Sequence, residues 1–290
     1  MTNSRTLLPS AIDRNSVTDV DGIEVHVAGD GSRTMVFVHG WPDTWRLWER
    51  QVAHFAPRGF RCVRFTLPGF DIRRPRRGHS LDEVTGFIAR VIDAVSPAEP
   101  VVLVVHDWGC LYGYQVALAH PQRVAAVVGI DIADAQSAAF RRSLTLRSAA
   151  MAAGYQLWLT LAWRIAGLGA TRLADRMTRW MAHTMGCRSD PADIGACMNY
   201  PYDITWTGSH GGFRGRLLKL DAAALPWPMF YAWGTAKPFM FHSGEWVQQL
   251  SAQPRHRAMP FDCGHWVMRS RADAFNAAVE RWLEATLPAR

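Results

Sequence analysis

Runs of apolar residues alternate with stretches of helical spacing along most of the chain. The apolar runs predict β-strands over residues 16–20, 23–28, 34–38, 61–65, 101–105, 124–130, 228–234 and 257–260. Apolar residues at helical spacing predict helices over residues 45–55, 81–95 and 272–286. Because strands and helices alternate, we predict an α/β fold in which helices cover both faces of a mostly parallel sheet.

The alternation stops between residues 135 and 220, where the chain is mainly helical and rich in Trp, Met, Arg and Ala. We therefore predict a first part of the core over residues 1–134, an inserted helical lid over 135–220, and a second part of the core over 221–290. A length of 290 residues suits one large domain with such an insertion.

Composition narrows the class of protein. No stretch of about 18 uninterrupted apolar residues is present, so a membrane-spanning helix is not expected. The first nine residues lack the apolar region of a secretory signal, and we predict a cytoplasmic protein with no membrane partner. The five cysteines are scattered and form no C-x-x-C pair, so we expect neither a disulfide framework nor a metal site.

The formal net charge is +7, and the densest basic run is Arg73-Arg74-Pro75-Arg76-Arg77. Such a run either forms a solvated surface loop, which we favour, or meets an acidic partner. It has no interleaved aromatic residues and belongs to no nucleic-acid motif, so we predict no binding to nucleic acid.

The segment most informative about chemistry is Val105-His106-Asp107-Trp108-Gly109, between an apolar strand and a predicted helix. A strand, a sharp turn and a helix in this order present the serine of G-x-S-x-G enzymes. Here an aspartate stands at the centre. A carboxylate that attacks saturated carbon forms an ester, which water can hydrolyse in a second step. Asp107 therefore predicts displacement of an epoxide oxygen or a halide, and the alternative is an aspartate that only caps the helix.

Three further polar signals follow predicted strands: the segment His39-Gly40-Trp41-Pro42, Asp131 and His265. Open parallel sheets bind ligands at the carboxyl ends of their strands, so we expect these residues to meet Asp107 at one edge.

With these motifs the chain resembles the α/β-hydrolases with an aspartate nucleophile, a group that includes epoxide hydrolases and haloalkane dehalogenases. The segment 39–42 looks like their H-G-x-P oxyanion motif, 106–109 like their nucleophile elbow, and Gly264-His265-Trp266 like their late histidine motif. The resemblance implies the α/β-hydrolase fold with an inserted lid, a cis peptide before Pro42, and no cofactor or metal.

The resemblance also implies roles for individual residues. Asp107 corresponds to the nucleophile, and its place at a helix N-terminus favours the ionised form. The backbone N–H groups of Trp41 and Trp108 correspond to the oxyanion hole. His265 corresponds to the general base for the hydrolytic water, and the alternative is a structural histidine in a turn.

The chain departs from a common family pattern at the acid that orients the histidine. Epoxide hydrolases usually carry this acid after the strand represented by residues 230–233, where this chain has Lys237, which has no acceptor atom. Another branch carries it after the preceding strand, where Asp131 lies 24 residues beyond Asp107. The resemblance thus implies Asp131 as the acid, with Asp134 as a nearby alternative and Glu245 as a remote one.

The leaving group depends on the lid. Epoxide hydrolases polarise the ring oxygen with two lid tyrosines, to which Tyr155 and Tyr202 correspond best, with Tyr200 as a close alternative to Tyr202. Aromatic packing is the alternative for each. Haloalkane dehalogenases often have asparagine at the position of Trp41, and fluoroacetate dehalogenases have arginine at that of Trp108, so both tryptophans favour an epoxide.

We therefore predict an epoxide hydrolase that forms a vicinal diol from a small apolar epoxide. The first alternative is a haloalkane or haloacid dehalogenase acting on an alkyl halide, which the position of Asp131 favours. The second, prompted by Lys237, is a catalytically silent α/β-hydrolase that serves as a binding module.

Overall fold

A computed structural model describes residues 15–288, so the residues used to judge a secretory signal lie outside the described part. Eight strands form a single sheet. They are β1 Asn15–Val20, β2 Ile23–Ala28, β3 Arg33–Val38, β4 Phe60–Phe65, β5 Val101–His106, β6 Val124–Ile130, β7 Met229–Gly234 and β8 Arg257–Phe261. Their order across the sheet is β1-β2-β4-β3-β5-β6-β7-β8. The pairs β1–β2 and β2–β4 are antiparallel, and all the others are parallel.

The connections are mainly helical. The helices are α1 Glu49–Phe55, α2 Leu81–Val95, α3 Trp108–Ala119, α4 Ala138–Ser143, α5 Leu146–Gly167, α6 Thr171–Thr184, α7 Tyr200–Thr207, α8 Gly244–Ser251, α9 Val267–Ser270 and α10 Ala272–Thr286. The predicted helix over 45–55 starts instead as a 3₁₀ turn at Trp45–Trp48. Among residues 15–288, no helix has the length and apolar character needed to cross a membrane.

The central strand β5 is buried on both faces, as its unbroken apolar sequence predicts. Val101, Leu103 and Val105 pack in one hydrophobic cluster with α2 and α3. Val102 and Val104 point to the other face and pack in a second cluster with α1 and α10. Helices on both faces therefore fix the sheet between them, which confirms the predicted fold class.

The helices α4 to α7 lie between β6 and β7 in the chain. Tyr202 of α7 packs in the same hydrophobic cluster as Trp41, which follows β3. The indole N–H of Trp41 donates a hydrogen bond to the side-chain oxygen of Asn199, at 2.8 Å. The inserted segment therefore lies against the loop that follows β3, at the carboxyl edge of the parallel strands.

The arginine run over residues 73–77 lies on the surface, as predicted for a solvated loop. Arg73 and Arg74 form ion pairs with Asp71. The guanidinium of Arg76 lies 3.3 Å from the ring centroid of Trp163 in α5. The run is therefore partly occupied in contacts within the chain itself.

Candidate active site

Asp107 lies in the tight turn between β5 and α3, with φ 54° and ψ −124°. Such a backbone conformation is costly for a residue with a side chain and needs closely packed surroundings. A Cβ atom on Gly40 would lie 2.4 Å from the Oδ1 atom of Asp107, and one on Gly109 would lie 2.3 Å from the carbonyl oxygen of Val38. The two glycines therefore let the loop after β3 approach the turn and hold Asp107 in place.

Two backbone N–H groups approach the carboxylate of Asp107. The N–H of Trp41 donates to Oδ1 at 2.7 Å, and the N–H of Trp108 also stabilises the anion. Burial alone would raise the pKa of Asp107, but contact with His265 and with these donors lowers it below its ordinary value. Asp107 is therefore ionised at neutral pH, with Oδ1 held by the N–H of Trp41 and Oδ2 directed to His265.

His265 lies between two aspartates. Its Nε2 atom is 3.4 Å from Oδ2 of Asp107, and its Nδ1 atom is hydrogen-bonded to Oδ2 of Asp131. Burial lowers the pKa of His265, but the two carboxylates outweigh it and raise the pKa to about 9. The contact with Asp131 fixes the ring so that Nε2 faces Asp107.

Lys237 makes an ion pair with the same buried aspartate. Its Nζ atom lies 2.8 Å from Oδ1 of Asp131, to which the N–H of Gly234 also donates at 3.0 Å. Burial raises the pKa of Asp131, but His265 and then Lys237 lower it below its ordinary value. Lys237, which follows β7, is therefore the counter-ion of Asp131, which follows the neighbouring strand β6.

The two other candidate acids point elsewhere. Asp134 accepts hydrogen bonds from the hydroxyls of Ser137 and Ser243, at 2.6 and 2.7 Å, and from the N–H of Ser243 at 2.8 Å. Glu245 lies 3.7 Å from Arg142. Of the three carboxylates considered from the sequence, Asp131 is therefore the one in contact with His265.

The three tyrosines of the segment inserted between β6 and β7 have different surroundings. Tyr155 of α5 and Tyr202 of α7 meet edge to face, with ring centroids 5.9 Å apart, and the ring of Tyr202 also packs edge-on against Trp108 at 5.3 Å. Burial raises the pKa of both tyrosines, and so does the charge of Asp107. Tyr200 instead donates its hydroxyl hydrogen to the carbonyl oxygen of Pro68, at 3.0 Å. Tyr155 and Tyr202 therefore lie together beside Trp108, whereas the hydroxyl of Tyr200 is occupied elsewhere.

Comparison with known proteins places this geometry in a family. The chain matches the model of the alpha/beta hydrolase family over residues 35–278. The chain belongs to that family. Epoxide hydrolase 1 of Caenorhabditis elegans is 32% identical over 111 residues, covering 37% of this chain and 27% of the relative. Epoxide hydrolase A of Mycobacterium tuberculosis is 22% identical over 313 residues, covering 92% and 96%.

The chain spans between about a quarter and two fifths of the length of the first relatives it matches. Among solved structures, an epoxide hydrolase from Bacillus megaterium with its product superposes with a TM-score of 0.68 at 19% identity, covering 93% of this chain and 100% of that one. A putative acyltransferase from Salmonella enterica gives 0.64 at 20% identity, covering 95% and 97%. At such identities the likeness establishes the shared fold, and the chemistry has to be argued from the site.

A buried hydrogen-bond network joins the loops after β3 and β8 of this α/β-hydrolase, and it was not predicted from the sequence. Asp43 is buried and accepts hydrogen bonds from the indole N–H of Trp266, at 2.8 Å, and from the hydroxyl of Ser189 in the inserted segment. Arg269 in turn donates to Ser189 at 3.0 Å, and burial raises the pKa of Asp43. Only the position of Asp43 after the H-G-x-P segment could have drawn attention to it.

Two motif histidines have structural roles. His39 accepts the N–H of Leu67 on Nε2 at 2.9 Å, and its Nδ1 contacts the carbonyl oxygen of Gly40. The ring of His106 packs 4.4 Å from that of His265, and burial lowers its pKa to about 3. Burial likewise lowers the pKa of His39, to about 4, so both histidines are neutral at neutral pH. Among residues 15–288, no group of three His, Cys, Asp or Glu residues could hold a metal ion.

Proposed function

We propose that this α/β-hydrolase is an epoxide hydrolase that forms a vicinal diol through an ester on Asp107. The observation that carries the proposal is the pairing of two tyrosines of the inserted segment, Tyr155 and Tyr202, whose ring centroids are 5.9 Å apart. The ring of Tyr202 packs at 5.8 Å from Trp41 and 5.3 Å from Trp108, the two residues whose backbone N–H groups approach Asp107. Residues 135–220 serve as the lid that supplies these donors. The substrate class is a small apolar epoxide, and we place the protein in the cytoplasm.

The first step is alkylation. Oδ2 of Asp107 attacks one ring carbon, because Oδ1 is held by the N–H of Trp41. The bond between that carbon and the ring oxygen breaks, and the oxygen takes a proton from Tyr155 or Tyr202 while the other tyrosine donates a hydrogen bond. We assign Tyr200 to packing, because its hydroxyl hydrogen is already donated to Pro68.

The second step is hydrolysis. Formation of the ester removes the negative charge of Asp107, which is one of the causes that raise the pKa of His265. Nε2 of His265 then takes a proton from a water that attacks the ester carbonyl, and Asp131 stabilises the imidazolium. Negative charge develops on Oδ1, at the N–H groups of Trp41 and Trp108. Collapse expels the alkoxide of the diol, which takes the proton held by His265, and the water oxygen stays on Asp107. The new carboxyl group of Asp107 then gives its proton to the tyrosinate, which restores both groups.

A single turnover in heavy-oxygen water tests the mechanism. With styrene oxide as substrate and enzyme in excess, we expect label in the peptide that carries Asp107 after the diol has left. The diol from this first turnover should contain no label, because its new oxygen comes from the aspartate. Label in the diol and none in Asp107 would mean direct attack by water and would refute the ester.

Incubation with styrene oxide and with 1-bromobutane separates the candidate reactions. The proposal expects diol from the first and no bromide from the second. Bromide alone would favour the dehalogenase. The feature that supports this alternative is the position of Asp131 after β6. The silent binding module expects neither product, but the contacts of His265 with both Asp107 and Asp131 argue against it.

A further inference from the structure

Exposed apolar side chains are concentrated on one part of the lid. Eleven large hydrophobic residues are exposed among residues 15–288, and seven of them lie on residues 146–184, the lid hairpin formed by α5 and α6. These seven are Leu146, Met151, Leu157, Leu161, Leu168, Leu173 and Trp180. A patch of this kind marks an interaction surface, because exposed apolar residues on other soluble proteins are mostly scattered.

Helix α5 is apolar on its outward side as well as on its inward side. Leu159 and Ala162 are buried, whereas Leu157 and Leu161 face outward at helical spacing. Leu146 is 93% exposed and Leu168 is 87% exposed, so the outward stripe runs along the whole helix, over about 33 Å. Arg164, paired with Asp203, also lies on this helix, but the exposed leucines around it are of the kind that is normally covered. Within the described residues nothing covers them.

The positive charge of the chain lies in the same segment. Ten arginines, one lysine and four aspartates give residues 135–220 a net charge of +7, which equals that of the whole chain and leaves the remainder neutral. On the lid hairpin, Arg147, Arg172 and Arg176 are exposed and make no ion pair with any residue of the described part. Its one acidic residue, Asp175, accepts the N–H of Ala196 at 2.8 Å.

We propose that the outward side of the lid hairpin binds the surface of an anionic lipid bilayer. The leucines and Trp180 enter the boundary between headgroups and acyl chains, and the arginines meet the lipid phosphates. Contact between two copies of this face is disfavoured, because a two-fold dimer would bring like charges together. The proposal replaces the expectation of no membrane partner and does not depend on the reaction that the protein catalyses.

Co-sedimentation of the full chain with vesicles tests the charge. We expect binding to vesicles of phosphatidylcholine and phosphatidylglycerol, little binding to phosphatidylcholine alone, and weaker binding at high salt. The triple variant R147Q/R172Q/R176Q should lower the partition coefficient about a hundredfold, since each arginine near such a surface contributes about fivefold. The matched control R50Q/R257Q/R281Q removes three exposed core arginines and should bind like wild type.

The double variant L157Q/L161Q tests the apolar stripe. Glutamine keeps the helix propensity of α5 and replaces exposed apolar atoms with polar ones, so the protein should fold and lose about tenfold in binding. The control L218Q changes an exposed leucine outside the lid hairpin and should have no effect. The proposal is overturned if the wild-type protein does not bind anionic vesicles. It is also overturned if the two control variants weaken binding as much as the corresponding lid variants do. It also fails if L157Q/L161Q dissociates a dimer in sedimentation equilibrium while lipid does not bind.

Discussion

Substitution of Lys237 by methionine is the sharpest test of the charge arrangement around His265. The Nζ atom of Lys237 lies 2.8 Å from Oδ1 of Asp131, and His265 is bonded to Oδ2 of the same carboxylate. One buried anion is therefore shared by two cations whenever His265 is protonated. Methionine keeps most of the side-chain volume and removes the charge, so Asp131 would then act on His265 alone.

The expected magnitude follows from Coulomb's law. Two cations on opposite oxygens of one carboxylate lie roughly 6 Å apart, which at an effective dielectric constant of about 20 is about 3 kcal/mol of repulsion. Relief of this repulsion should raise the pKa of His265 by about one to two units. Because hydrolysis needs the neutral imidazole, the acid limb of kcat should move to higher pH, and kcat at neutral pH should fall about tenfold or more.

The measurement is the pH profile of kcat with styrene oxide, together with the rate of alkylation in a single turnover. Alkylation should change little in Lys237→Met, so the ester should accumulate at neutral pH and disappear at high pH. Lys219, the one other lysine of the chain, is exposed, and Lys219→Met provides a matched control with an unchanged profile. If the acid limb of the kcat profile stays in place or moves to lower pH in Lys237→Met, the reasoning is refuted.

Three further substitutions test the proposed roles. His265→Gln should be alkylated but not turn over, visible as a mass increase equal to the substrate, and turnover at the wild-type rate would exclude His265 as the base. Asp131→Asn should lower kcat by about 10⁴, by analogy with other triads, whereas Asp134→Asn should act mainly on thermal stability; the reverse result would move the acid to Asp134. Tyr202→Phe should slow alkylation about a hundredfold, and an equal effect of Tyr200→Phe would contradict the assignment of the donors.

Local patterns predicted the regular elements well. The helix over 81–95 and the strand over 124–130 have the predicted bounds, and the helix begins with a capping box of Ser80 and Glu83. Helix α8 was not predicted, because eight residues with two buried positions give little periodicity. Such short elements are fixed by contacts with residues distant in the chain. A reading of a few neighbouring residues does not include these contacts.

The contacts within the site depended on topology that the sequence could not supply. Asp107 and the glycines around it belong to local motifs, so the turn was predictable. The contact between Asp131 and His265 joins residues 134 positions apart, and the choice between Tyr200 and Tyr202 depends on the direction in which α7 presents each ring. The outward leucines of α5 were equally hidden, because an exposed leucine and a buried one look the same in a sequence.

The place of the acid also bears on whether this chain is catalytic at all. Strands β6 and β7 are parallel neighbours, and the N–H of Asp131 donates to the carbonyl oxygen of Ala232 at 2.8 Å. The ends of the two strands therefore meet at one point of the sheet edge, from which a carboxylate on either can reach His265. Lys237 follows β7, and its ammonium group binds the carboxylate of Asp131. The two ring nitrogens of His265 therefore stay directed to Asp131 and Asp107. A lysine at the usual acid position is thus compatible with a working triad, provided that the neighbouring strand supplies the acid, and it is no evidence for a silent protein.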